Sequence, residues 1–334
     1  MKKFILISLL FLQQSVYAAE VNVYSARKEA LVKPLLDRFT SETGIIVNLV
    51  TGKADTLLKR LEVEGKNTPA DMLLTVDVAR LIRAKEKGLF QPIESDFLNN
   101  TIPDYYRDED KQWFGLSLRS RVIVYAPERV KESELSTYAD LADSKWKNRI
   151  CIRSSSNVYN QSLVASMVAN DGVEKTEAWA KDLVENFARK PKGGDRDQIK
   201  AVAAGQCDVA IVNTYYLAGM LTSSQQREVD AAKKIKLFWP DQDGRGTHMN
   251  ISGAGILKPA KHKKEAIQLL EFLLSNESQQ WYAETNHEYA INMDIESSAV
   301  LKVWGKFKAD NINLSLLGKY NAEAVLLMDR AGWK

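Results

Sequence analysis

Three segments of the chain place tyrosine at the exit of a β-rich run: Val23-Tyr24-Ser25, Asn157-Val158-Tyr159-Asn160 and Asn213-Thr214-Tyr215-Tyr216. Strand exits are where an open α/β sheet meets its ligands. A phenol placed there can hydrogen-bond an organic ligand, stack on it, or bind a metal ion as phenolate. Free tyrosine ionises only near a pH of about 10, so the last option needs a partner that strongly favours the anion. A trivalent hard cation is such a partner, because its field stabilises the deprotonated oxygen and it prefers oxygen to thiolate or imidazole. Several phenolates would also neutralise most of its charge. The chain has 12 tyrosines, enough for some to stand at strand ends through packing alone, so residue chemistry leaves all three options open.

Charged and nucleophilic residues narrow the field. Arg119 and Arg121 flank Ser120 in a β-rich stretch, and strand alternation points both guanidinium groups to one face. There they could pair with a small anion or offset phenolate charge; the alternative is a solvated or salt-bridging role. Arg27 is a weaker candidate through its nearness to Tyr24. Ser154, Ser155 and Ser156 precede a helix and read as caps, or as an anion site at its N-terminus. His248, His262 and His287 are scattered without metal-ligand spacing, and His262, in a lysine-rich helix start, reads as solvated. There is no GxSxG, no HExxH and no glycine-rich phosphate loop, so nothing in the chain argues for a hydrolase.

The elements that would position these residues alternate in type. Strand Val21–Tyr24 is followed by a helix over 28–43 with Leu31, Leu35, Leu36 and Phe39 on one face, ended by Gly44. A strand over 45–50, a helix with Leu57, Leu58 and Leu61, a strand over 72–75 and a helix with Val78, Leu81 and Ile82 come next. The long β-rich segment 115–126 could pass from one lobe to another. A second series has strands at 150–152, 207–212 and 252–257, with a closing helix over 263–274. Such alternation implies βαβ units and a parallel sheet. Cys151 and Cys207 each lie eight residues before a tyrosine of interest. If their strands are neighbours in matching register the sulfurs could meet in a disulfide; otherwise they are free buried thiols.

The chain's first residues bear on its destination. Lys2 and Lys3, an apolar run over 4–12 and Val16-Tyr17-Ala18 make a secretory signal with cleavage after Ala18. The apolar run is about half the ~20 residues that span a bilayer. The remaining chain exceeds the size at which single cores stop growing, so two lobes are expected. A net charge of +3 gives no argument for nucleic acid.

Four segments carry a family resemblance: Val-Asn-Val-Tyr-Ser-Ala-Arg-Lys-Glu-Ala (21–30), Gly-Leu-Ser-Leu-Arg-Ser-Arg-Val (115–122), Ser-Ser-Asn-Val-Tyr-Asn-Gln-Ser (155–162) and Cys-Asp-Val-Ala-Ile-Val-Asn-Thr-Tyr-Tyr-Leu-Ala-Gly (207–219). With Asn-Ile-Ser-Gly-Ala-Gly-Ile (250–256), they make the mature chain resemble the bacterial periplasmic ferric-ion-binding proteins of iron ABC transporters, most specifically in Asn-Thr-Tyr-Tyr. The resemblance implies a non-catalytic, bilobed α/β carrier of type II-like architecture, its lobes joined by crossing hinge strands. The expected division is 19–118 with 243–294 as the N-terminal lobe and 119–242 with 295–334 as the C-terminal lobe. It further implies that Tyr159, Tyr215 and Tyr216 hold Fe(III) from the C-terminal lobe and that Tyr24 matches an N-terminal-lobe tyrosine, either a ligand or a hydrogen-bond partner behind the ligands. Arg119, and less directly Arg121, would face a small anion such as carbonate. One branch of the family adds a histidine after the first strand and a glutamate after the Ala-Asp strand. This chain has neither, with Thr75-Val76-Asp77 where the glutamate would stand, which points to the tyrosine-dominated branch. A monomer working in the periplasm with an inner-membrane ABC permease is expected. The alternative within the same fold is a binder of a small organic solute (a polyamine, thiamine or a phosphonate) with the tyrosines as cleft walls.

Overall fold

The computed structural model describes residues 19–334, so the expected signal segment 1–18 lies outside the described residues. Eight strands form one mixed sheet: β1 (Glu20–Ser25), β2 (Ile46–Thr51), β3 (Met72–Val76), β4 (Phe114–Tyr125), β5 (Ile150–Cys151), β6 (Val209–Asn213), β7 (Lys236–Phe238) and β8 (Met249–Ile256). Their order is β2-β1-β3-β8-β4-β6-β5, with β7 on a further edge of β4. The expected parallel pairings are present between β1 and β2, β1 and β3, and β5 and β6. The sheet as a whole is nevertheless not parallel, because β8 runs antiparallel to β3 and β4, and β4 antiparallel to β6 and β7.

The long strand read at 115–126 is the element that makes the molecule bilobed. From Phe114 to Ser120 it pairs with β8; from Arg121 to Tyr125 it pairs with β6 and β7. All twelve of its residues are buried, as are all eight of β8. Tyr138 ties these two strands together across the changeover: its hydroxyl donates to the Arg121 carbonyl and accepts from the His248 amide at 3.2 Å.

Helices cover the sheet as their apolar spacing requires. Ala54–Glu64 buries Leu57, Leu58 and Leu61, and Lys263–Leu273 buries Ala266, Leu269, Leu270 and Leu273. The first helix is shorter than expected, Lys33–Thr43, with Leu31 in a separate short turn. Pro34 explains this, because a residue with fixed φ and no N–H opens a helix well but cannot sit inside one. Gly44, at φ 75°, ends it as expected. No helix of the described residues is long and apolar enough to cross a membrane.

Cys151 and Cys207 form a disulfide with their Cα atoms 5.7 Å apart. The register is not the matching one imagined from sequence: Cys151 stands opposite Ala210, and Cys207 reaches it from the segment just before β6.

Candidate metal centre

The three downstream tyrosines belong to the first turns of two helices rather than to strands. β6 ends at Asn213 and turns at once into the helix Thr214–Leu221, which carries Tyr215 and Tyr216. Its parallel neighbour β5 leads through 152–157 into the helix Val158–Asp171, where Asn157 caps the start by accepting from the Tyr159 amide at 3.2 Å. Helical side chains lean back toward the N-terminus. Adjacent strands feeding adjacent helices therefore bring the phenols together over two helix starts, where the partial positive charge favours an anion. The Tyr215 hydroxyl donates to that of Tyr159 at 3.2 Å, and the rings of Tyr215 and Tyr216 lie 4.3 Å apart.

Burial raises the Tyr215 phenol well above its ordinary value; Tyr159 and Tyr216 add to this and Arg119 opposes it. Burial likewise pushes Tyr216 up to about 12, with Tyr159 and Asp195 adding and Arg153 opposing. Both are therefore neutral at pH 7, and a cation bound here as a phenolate complex must displace their protons.

Three guanidinium groups surround the cluster. Arg119 lies 5.9 Å from the centre of the Tyr215 ring, and Arg121 and Arg153 lie 6.0 and 5.5 Å from that of Tyr159. Arg119 and Arg121 share a face as alternation requires, yet they are used differently. Arg121 is spent on protein partners: Asn160 at 2.5 Å, Asn213 at 3.0 Å and the buried Asp195 at 3.5 Å. Arg119 makes a single side-chain hydrogen bond among the described residues, to Ser252 on β8, and its Nε, like those of Arg121 and Arg153, has no partner. Arg153 shares Asp195, at 3.5 Å, and is half-buried. Beneath the tyrosines, Asp77, Arg119, Arg121, Tyr159, His248 and Asn250 close around one small space.

Tyr24 is not brought into this cluster. It is buried in β1 with its hydroxyl bound to both carboxylate oxygens of Glu64 at 3.1 Å, and Arg60 lies 4.6 Å over its ring. Alternation along β1 turns it toward the covering helix Ala54–Glu64. Burial and the Glu64 carboxylate raise its phenol further from ionisation. Of the other candidates, Arg27 is buried and donates to Glu288 at 2.5 Å and to Ser117 at 3.0 Å, a structural pairing. Ser154 and Ser156 bond each other at 3.0 Å within the turn before the helix. His262 is not simply solvated, since its ring contacts Asp71 at 3.0 Å. The described residues contain no group of three or more His, Cys, Asp or Glu side chains that could hold a metal.

Sequence reasoning passed over Arg153, Asp195 and His248. Arg153 and Asp195 had a usable signal in hindsight, because each sits just before or at the start of a helix next to a strand of the second half. His248 had none. Burial, with Arg121 and Arg245, holds its imidazole down at about 3, and its Nδ1 has no partner. Only folding puts it under the tyrosines.

The pattern of bacterial extracellular solute-binding proteins matches residues 24–280, which include the end of β1, the crossing strands and all three clustered tyrosines. The chain belongs to that family. Iron uptake protein A1 of Synechocystis is 49% identical to this chain over 315 residues, 94% of this chain and 88% of that protein. A solved structure of the Trichodesmium protein FutA (IdiA), in complex with iron and citrate, superimposes with a TM-score of 0.92 at 51% identity, covering 95% of this chain and all of that one. The ferric binding protein of Campylobacter jejuni gives 0.89 at 40% identity, covering 94% of this chain and 100% of that one. The solute-binding fold of these bilobed proteins is thus the fold of this chain.

Proposed function

We propose that this chain is an exported carrier that captures ferric iron in the periplasm and delivers it to an inner-membrane ABC permease. The observation that carries this reading is the convergence of the Tyr159, Tyr215 and Tyr216 phenols from two helix starts, ringed by guanidinium groups. Three phenolates match the charge and hardness of Fe(III). The names of the similar proteins, iron uptake protein A1 and a ferric binding protein, support it. Tyr24 supports β1 from behind in this reading and is not a ligand.

A small anion completes the coordination. Carbonate is one candidate and citrate, present with iron in the Trichodesmium structure, another. Arg119 is the group to meet it, whereas Arg121 holds Asn160, Asn213 and Asp195 in place. The changeover of β4 between Ser120 and Arg121 supports a division into 19–118 with 243–294 and 119–242 with 295–334. The carrier acts as a monomer after loss of residues 1–18.

Adding ferric iron and bicarbonate to the purified mature chain should produce a visible phenolate-to-iron charge-transfer band. Tyr215→Phe or Tyr216→Phe should weaken or shift it, and Tyr320→Phe, at the start of the C-terminal helix, should not. Tyr138 is unsuitable as the reference, because its hydroxyl joins the two crossing strands. A folded chain that shows no band with iron but releases heat with a polyamine or phosphonate would be an organic-solute binder instead.

A further inference from the structure

Asp77 leaves β3 with φ 73°, a backbone conformation that a residue with a Cβ keeps only when its surroundings hold it there. Three donors do so. Oδ1 accepts from the Ala79 amide at 3.1 Å and from the Ser162 hydroxyl at 2.8 Å, and Oδ2 accepts from the Asn250 amide group at 3.0 Å. The side chain is fully buried. Its contacts divide between the lobes. Ala79 is in the first turn of the helix Val78–Glu86 behind β3, and Asn250 is on the crossing strand β8. Ser162 lies on the helix Val158–Asp171, three residues after Tyr159 and so on the same face. Asp77 and Tyr159 line the same small space. A second contact supports this one. Val78–Glu86 packs on the helix Ser315–Lys319, which itself packs on Val158–Asp171. Gly318 permits this approach, since a Cβ there would lie 2.3 Å from Ile82 Cγ2.

We propose that Asp77 is a positioning residue of the metal centre: acting through Ser162, it seats the Tyr159 helix so that the phenol faces Tyr215, and it does not itself bind the cation. This rests on the ferric-iron reading above. Three of the roughly four acceptor sites of a carboxylate are already taken by protein donors, so ligation would break the cap of the Val78–Glu86 helix or the link to Ser162. Supports of this kind orient the atoms that touch a metal.

The test uses the full mature chain loaded with ferric iron, comparing Asp77→Ala, Ser162→Ala, Ser162→Thr and the double alanine variant. Ser162→Ala leaves the Asp77 cap of Ala79 and the bond to Asn250 in place, so it reads positioning rather than folding. Ser162→Ala and Asp77→Ala should each shift the charge-transfer band and speed iron release to a competing chelator about tenfold, the net worth of one hydrogen bond. The double variant should add little to either single, because one path is being cut twice, and Ser162→Thr should restore the wild-type band. A wild-type band and release rate in Ser162→Ala would overturn the inference, as would loss of the band in Asp77→Ala alone, which would make Asp77 a ligand. Absence of a band in the wild-type chain would instead defeat the iron reading, and this inference with it.

Discussion

At the scale of single residues, the site is a problem of protons. Tyr215 and Tyr216 are held above their ordinary ionisation by burial and by the neighbouring Tyr159, so iron must take the place of their protons. Protonation competes with the metal, and apparent affinity should therefore rise with pH. If all three phenols ligate as anions, the logarithm of affinity should climb by about three per pH unit between about pH 6.5 and 8. Tyr215→Phe should lower that slope to about two. Competition titrations against a chelator of known proton stoichiometry, at several pH values, would measure both. The three phenols were legible in the chain through the family resemblance that Asn-Thr-Tyr-Tyr and Asn-Val-Tyr carry. The setting-aside of Tyr24 was not. It too ends a strand, but alternation turns it toward Glu64, and this depends on which face of β1 the helix Ala54–Glu64 covers.

Among the elements, β5 and β6 with their following helices form the unit that presents the tyrosines, and the Cys151–Cys207 disulfide staples its base. The bridge closes a loop spanning 56 residues of sequence. In the chain-entropy account such a loop is worth about 4 kcal/mol. Cys151→Ser with Cys207→Ser should lower the melting temperature by roughly 5–10 °C for a chain of this size. The band position should be kept, since neither sulfur is among the groups around the phenols. Differential scanning calorimetry and the visible spectrum of the same sample would check both halves of this expectation. The pairing itself was left open by the sequence. Matching register is absent, and it is the segment before β6 that brings Cys207 within reach.

For the molecule as a whole, β4 and β8 are the strands that run on from one lobe into the neighbourhood of the other, joined by Tyr138. The tyrosines lie on the far side of that junction from β1, β2 and β3, while Arg119 is anchored to Ser252 on β8. Iron bound to the second lobe and facing Arg119 should favour the closed arrangement over more open ones. Small-angle scattering should then show a smaller radius of gyration on addition of one equivalent of iron, with the mass of a monomer throughout. A chain carrying both Tyr159→Phe and Tyr215→Phe should keep its metal-free dimensions. Equal radii with and without iron in the wild-type chain would remove closure from the account.

The sequence by itself determined the alternation of strands and helices, a long strand at 115–126, the helix faces that build the core and the strand-exit tyrosines. These are local: apolar periodicity, glycine stops and a short motif carry them without reference to distant residues. Pro34 shows the limit of that reading, since a single ring displaced a helix start that periodicity placed earlier. Tertiary structure alone decided the rest. It chose which exits meet, made the sheet mixed by sending β4 and β8 antiparallel through its centre, spent Arg121 on Asn160, Asn213 and Asp195, and brought Asp77 against Ser162. Each of those contacts joins residues far apart in the chain, and no propensity or spacing along it specifies a partner at that distance. The three phenols, Arg119 and Arg121 were visible in the sequence; Arg153, the carboxylates and the geometry that lets them act together were not.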